Sequence, residues 1–315
     1  MLAAACFLLA ACVPHCAAQF SKALLASGRI DEAISELNHH LSSSPDDPEA
    51  SNLLCRAYYS LEAWDRAESH CKRAVSLAPE NSDFHLWLGR VYGEKAERAN
   101  FIAAASLAGK LRAEFERAVQ LNPKNVDARL DLSEFYIEAP SFMGGGDHKA
   151  REQAIALSPL SPGRDHWIYA RIAEKKKDFS GAEREYRLYI DASKNDSEAW
   201  LNYALFLRRR TRLDEMEKAA LKLDEARLSR NDGLFEASNA LYRSGRNYAL
   251  ATQLLRHYFS AGPVEAAPAF RAHYLLGALL EKQGDRTAAL AEYKTALSLA
   301  QNFAPAKQAL ERARH

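Results

Sequence analysis

Two stretches near opposite ends of the chain read alike, and that likeness constrains the fold more than any other feature. "NLLCRAYYSLEAWDRAESHCKRAVSLAP" runs from Asn52 to Pro79, and "HYLLGALLEKQGDRTAALAEYKTALSLA" from His273 to Ala300. In each, a large apolar residue (Leu54, Leu276) precedes a small one (Cys55, Gly277). Each continues with Ala67 or Ala289, then Cys71 or Tyr293, then Ala74 or Ala296. Two antiparallel helices approach closely only where side chains are small, and large neighbours fill the remaining volume. A unit of this kind cannot bury its apolar face alone, so copies must stack.

The pattern resembles the tetratricopeptide repeat, a helix–turn–helix of about 34 residues. Its register carries along the chain. Gly28, Ala33 and Pro45 mark a first unit; Leu54, Tyr58, Ala67, Ala74 and Pro79 a second; Trp87 to Tyr92, Phe115, Ala118 and Pro123 a third. Leu132, Tyr136 and Pro159 mark a fourth; Phe179, Ala182 and Tyr186 a fifth; Trp200 opens a sixth. Tyr248, Ala251 and Pro263 belong to a seventh, and the His273 segment is the eighth. "FAPAKQALERARH" reads as a capping helix with Arg and His in its last turn, where they suit the helix dipole. The resemblance implies an all-α, right-handed α-solenoid of about eight such repeats over residues 19–315, ending in that C-terminal cap. "SEFYIEAPSFMGGGDHKA", with "LGRVYG" and "FERAVQLNP" before it, is similar to a group of exported bacterial tetratricopeptide proteins carrying an AP-x-x-MGG loop. For that group the resemblance implies a repeat scaffold with no assigned activity.

Unit lengths are uneven. The third unit is longer by about ten residues and the fourth by about three, with the excess near 93–110 and 139–147. Both insertions fall between the two helices of their unit, so they lie on one edge of the array and should touch. "NFIAAASLAG" (Asn100 to Gly109) carries no charge. As a helical extension it needs a cover, and Phe142 or Met143 is expected to meet Phe101, Ile102 or Leu107. The glycines at 144–146 raise the question of a phosphate cradle. No strand precedes them, and no hydroxyl residue follows Lys149 as a G-x-x-x-x-G-K-[ST] loop requires. A turn is the simpler account: Pro140 stops a helix, the glycines supply positive φ, and Asp147 is expected as N-cap of the next helix.

The first residues, "MLAAACFLLAACVPHCAAQ", are uncharged and rich in Ala, Leu and Cys. They read as a secretory leader, residues 1–18. Cleavage after Ala18 is one reading; lipidation of Cys12 in the lipobox-like Leu9–Cys12 is the other. Either makes the mature chain an exported one, periplasmic or lipid-anchored in the bacterial envelope. With three of the five cysteines in the leader, Cys55 and Cys71 remain. They occupy inward positions on the two helices of one unit, and buried thiols are the first expectation, with a disulfide left open.

A net charge of +1 offers no broad field for nucleic acid or acidic lipid, and the "RRRTR" cluster (Arg208 to Arg212) reads as a solvated helix end. There is no H-E-x-x-H, G-x-S-x-G or C-x-x-C. The histidines are scattered, His39 and His40 lack ligand-spaced partners, and no cofactor, metal or catalytic residue is expected. First helices line the concave face of such arrays. Counting along the register places Asn52, Arg56, Tyr59, Leu86, Arg90 and Arg171 there as partner-binding candidates, with Leu130 and Glu134. Paired guanidiniums suit a carboxylate or acidic peptide. The expected function is a protein-interaction scaffold, binding another protein or peptide through the groove and one enlarged edge. The alternative is an accessory subunit positioning a peptide or glycan for a catalytic partner.

Overall fold

The computed structural model describes residues 13–314. Cys12 and most of the expected leader lie outside the described residues, and the boundary at Ala18 falls within the first helix. Among the described residues there are helices and no strands. Eight antiparallel pairs follow one another: α1 (Val13–Ala26) with α2 (Ile30–Ser43), α3 (Pro48–Ser60) with α4 (Trp64–Leu77), α5 (Ser82–Glu97) with α6 (Phe101–Leu121), and α7 (Val126–Glu138) with α8 (Asp147–Leu157). Then come α9 (Arg164–Lys175) with α10 (Phe179–Ala192), α11 (Ser197–Arg209) with α12 (Leu213–Glu225), α13 (Asp232–Arg243) with α14 (Tyr248–Ala261), and α15 (Ala269–Lys282) with α16 (Arg286–Leu299). The last helix is α17 (Ala304–Arg314).

Local chemistry explains where helices start. Asp47 accepts from the amides of Glu49 and Ala50, and Pro48 opens α3 at a position that needs no donor. Asn81, Asn100, Asn125, Asp178, Asp196, Asn247 and Asp285 cap α5, α6, α7, α10, α11, α14 and α16 in the same way. The small positions are the contact points. Ala33, Ala67, Ala74, Ala118, Ala182, Ala251, Ala289 and Ala296 are wholly buried. A Cβ on Gly89 would sit 2.4 Å from the Phe115 ring, and one on Gly277 2.6 Å from Tyr293. Each glycine therefore seats an aromatic ring from the partner helix.

The second pair fills that seat differently. Cys55 stands where Gly89 and Gly277 stand, and Cys71 where Tyr293 stands. The two sulfurs are bonded, with Cα atoms 5.1 Å apart. This corrects the expectation of free thiols: two small side chains facing each other at the closest approach of a helix pair lie within disulfide range.

The capping helix does not stand at a free end. Phe270 of α15 and Phe303 and Ala306 around α17 share one buried cluster with Leu24, Leu25, Ile30, Leu53 and Leu54 from α1 to α3. Phe303 meets Phe270 and Tyr274 edge-on, with centroids 4.9 and 5.6 Å apart. Gly28, with φ of +74°, lets the α1–α2 turn press on the start of α15; a Cβ there would lie 2.5 Å from the Ala269 nitrogen. Arg271 donates to the Ser60 carbonyl and pairs with Glu62 at 3.0 Å, and the Gln301 amide donates to Asp31. The array closes on itself.

The two insertions touch, but not through their apolar tips. Arg112 in α6 donates to the Met143 carbonyl at 3.2 Å, while Phe101, Ile102 and Phe142 remain exposed. Leu107 turns the other way and packs against the N-terminal cluster. The loop 139–146 docks on α6 well below its N-terminus, so Phe142 does not reach Phe101. The glycine loop itself is a turn whose amides are spent internally: Gly144 donates to Ser141, Gly145 to Pro140 and Gly146 to Tyr136. Gly144 takes φ of +95°, and Gly145 passes so close to the Ala139 carbonyl that a Cβ would lie 1.9 Å from it. Lys149 donates to the Gly144 carbonyl at 3.0 Å. Asp147 is the first helical residue, Gly146 holds the cap position without a side-chain bond, and the Asp147 carboxylate pairs with Lys176 at 2.7 Å.

Candidate functional site

The first helices of successive pairs present charged side chains to the inner face, and most are paired across repeats. Arg56 donates to Glu265, in the α14–α15 loop, at 2.6 Å through Nε. Arg90 donates to Asp131 at 2.6 Å. Both guanidiniums also lie over Trp87, 5.2 and 4.9 Å from its ring centre. Arg171 donates to Glu134 and reaches Glu138 at 3.0 Å. Asp127 lies 4.0, 3.8 and 4.0 Å from Arg90, Arg164 and Arg230. Those arginines come from the third pair, the fifth pair and the loop that leads into the seventh, so the inner face is drawn together there. Burial in this interior, opposed by Arg90 and reinforced by Asp127 and Glu134, raises the Asp131 carboxyl above its usual range. Burial, with Asp232 behind it, raises Glu236 likewise.

The candidates named from the register separate into two groups. Asn52 and Leu86 are buried in the core: Leu86 packs with Phe115 and Leu132, and Asn52 lies in the part of α3 that the neighbouring helices cover. Arg56, Tyr59, Arg90 and Arg171 do face inward, each already bonded within the chain. The "RRRTR" cluster is not simply solvated. Arg209 pairs with Glu174 at 2.7 Å, Arg212 with Glu183 and Glu215, and Arg210 lies over Phe179. Hydrogen bonding to Arg212 brings the Glu183 carboxyl down to about 2. His40 pairs with Asp47 at 2.7 Å rather than standing free. Among the described residues no cluster of His, Cys, Asp or Glu is arranged to hold a metal.

One open recess of about 530 Å³ lies between α5, α6 and α7, where the concave face meets the enlarged edge. Ala96, Ala108, Leu111, Phe115 and Phe135 supply apolar wall, and Tyr59, Arg90, Glu94, Glu97, Asp131, Glu134 and Glu138 the polar part. Tyr59 donates to Glu94 at 3.1 Å and meets Trp64 and Trp87 edge-on. Burial, then the Glu94 charge, holds its phenol protonated well beyond the usual range. Counting the register found Tyr59, Arg90 and Glu134 but not the rest of the recess. A signal was present: Glu94 and Glu97, like Glu134 and Glu138, place carboxylates on one face near the ends of consecutive first helices.

Comparison with known proteins defines the class. Tetratricopeptide-repeat family models match residues 24–73 and 270–303, the two regions that meet where the array closes. The chain is an all-α helical repeat protein with tetratricopeptide repeats in those two regions; proteins with such repeats generally act as protein-interaction scaffolds. Among solved structures, it is similar to a thermophilic tetratricopeptide protein of Thermus thermophilus, at 19% identity over 61% of this chain and 98% of that one, with a TM-score of 0.50. It is also similar to yeast Tom70, at 15% identity over 90% of this chain and 58% of that one, with a TM-score of 0.53. At such identities the likeness is one of fold. No curated protein matches the sequence.

Proposed function

We propose that the chain is a non-catalytic protein-binding scaffold of the bacterial cell envelope, engaging its partner through the concave face and the enlarged edge together. The observation that carries this reading is that both insertions on that edge leave their apolar ends uncovered. Phe101, Ile102 and Phe142 are 79%, 82% and 79% exposed on two insertions that touch each other. Large apolar side chains left this far uncovered mark interaction sites. In this reading Tyr59 and Arg90 meet the partner at the recess, while Arg56 and Arg171 act behind them by holding Glu265 and Glu134. Asn52 and Leu86 support the helices from the core. The envelope location rests on the apolar leader and on the Cys55–Cys71 disulfide, since structural disulfides belong with oxidising compartments.

A photo-crosslinking phenylalanine analogue at Phe101 tests the scaffold in living cells. A covalent adduct that disappears when Ile102 and Phe142 are changed to Asp supports it; no adduct at normal protein level contradicts it. Fatty-acid labelling tests the anchor separately. Label on the wild type and none on Cys12→Ser supports lipidation, and an unlabelled soluble wild type leaves simple secretion.

A further inference from the structure

The last residue of the first helices changes sign along the array. α5 and α7 end in Glu97 and Glu138, whereas α9, α11, α13 and α15 end in Lys175, Arg209, Arg243 and Lys282. A cation at a helix C-terminus suits the dipole, and two of these are also matched: Lys175 pairs with Glu138 and Arg209 with Glu174. Arg243 and Lys282 are exposed and unmatched. Neither they nor Arg208, beside Arg209 on α11, forms an ion pair or side-chain hydrogen bond among the described residues. The dipole does not account for Arg208, a second cation on the same helix end, half-buried. Burial, then Arg243 and Arg209, lowers its pKa. Guanidiniums of neighbouring repeats therefore stand close enough to repel, with no anion between them. Glu236, the acid that acts on Arg208, lies seven residues before Arg243 on α13, about 10 Å along the axis. Burial raises its carboxyl, so it is a poor counter-charge.

We infer that Arg208, Arg243 and Lys282 form a docking rim for an acidic segment of a partner protein, one that carries a carboxylate at every third residue in polyproline-II conformation. This ligand specifies the scaffold reading and depends on it. Its sign is the one expected of paired guanidiniums, but other residues carry it, since Arg56, Arg90 and Arg171 are bonded within the chain. The spacing comes from packing. α11 lies against α13 and α13 against α15, and packed helix axes are about 8–10 Å apart. A polyproline-II chain rises about 3.1 Å per residue and turns every three, so its residues i, i+3 and i+6 face one side about 9 Å apart. One carboxylate then meets one cation per repeat in a charge-assisted bond. A continuous polyanion fits less well, because Glu236 and Glu281 share α13 and α15 with these cations.

The test uses the whole chain and fluorescein-labelled peptides: Glu-Pro-Pro repeated, the same composition with its Glu residues consecutive, and Lys-Pro-Pro repeated. Fluorescence anisotropy should show the first binding several-fold more tightly than the second, more weakly as salt rises, and the third not binding. Arg208→Gln with Arg243→Gln should lower affinity for the first roughly tenfold, with the thermal midpoint unchanged. Should that midpoint fall, Lys282→Gln, at an exposed side chain, decides alone by a several-fold loss. Equal affinity for wild type and variant, equal binding of the two Glu peptides, or no binding up to millimolar peptide would each overturn the proposal. So would binding of a single-stranded RNA or of phosphatidylglycerol vesicles that the variant weakens, with no peptide binding. A Phe101 adduct in cells with no peptide binding would leave the scaffold standing and remove this ligand. Peptide binding that the variant weakens, without any cellular adduct, would keep the rim and remove the enlarged edge as a contact.

Discussion

His85 sits between two acceptors. Its Nδ1 faces the Glu114 carboxylate and its Nε2 the Pro79 carbonyl at 2.9 Å, in a side chain almost wholly buried. Only the imidazolium can donate to both. The hydrogen bond to Glu114, opposed by burial and aided by the Pro79 carbonyl, raises its pKa above the ordinary value. A raised folded-state pKa means that the stabilisation is complete below about pH 6.5 and fades as pH climbs through the folded value. His70 has the opposite sense, its pKa lowered by burial and then by Arg73 and Arg66. The effect of His85 is therefore read as a difference. Urea unfolding of wild type and His85→Gln across mildly acidic to alkaline pH should show the largest gap at the acidic end, narrowing as pH rises. A constant gap would mean that the proton plays no part. Nothing in the sequence singled out His85, because its two acceptors come from a loop and from the opposite helix of the pair.

The third helix pair shows what a longer element does to packing. Without a cover, Phe142 is not part of the core. Phe142→Ala should therefore shift unfolding free energy by no more than about 0.5 kcal/mol, measured by thermal or chemical denaturation. A loss of about 1.5–3 kcal/mol, the value for burying a Phe, would place it inside instead. In the second pair the Cys55–Cys71 bond closes a short loop, with a sequence separation of 16. Its reduction should cost about 3 kcal/mol, seen as a lower denaturant midpoint that returns on reoxidation. Small contact positions were legible because their spacing repeats: Ala67 and Ala118 pack where the register put them, whereas Asp147, the one cap expected, is the first helical residue instead. The direction of the insertions was not legible. Which residue of α6 receives the 139–146 loop depends on Arg112 finding the Met143 carbonyl, and no local pattern encodes that. The disulfide was half legible, since Cys55 occupies a position that Gly89 and Gly277 share.

At the scale of the molecule, the decisive feature is that the first and last repeats share a core. Eight units in register were readable from their period, but a period describes how neighbours stack and says nothing about whether the ends meet. The contact that closes the array joins Phe270, Phe303 and Leu25, residues that each look like ordinary core positions of their own repeat. Its functional consequence is direct. With Arg56 held by Glu265 and Asp127 among arginines of distant repeats, the inner face is largely self-satisfied, while a recess at the enlarged edge stays open. An open repeat array loses protection only near a lesion, because each unit contacts its neighbours alone. A closed one transmits the loss across the seam. Hydrogen exchange on Phe270→Ala tests this most directly: the account predicts reduced protection in α1 to α3 as well as in α15 to α17. Reduced protection confined to α14 through α17, with α1 to α3 exchanging as in the wild type, would contradict it.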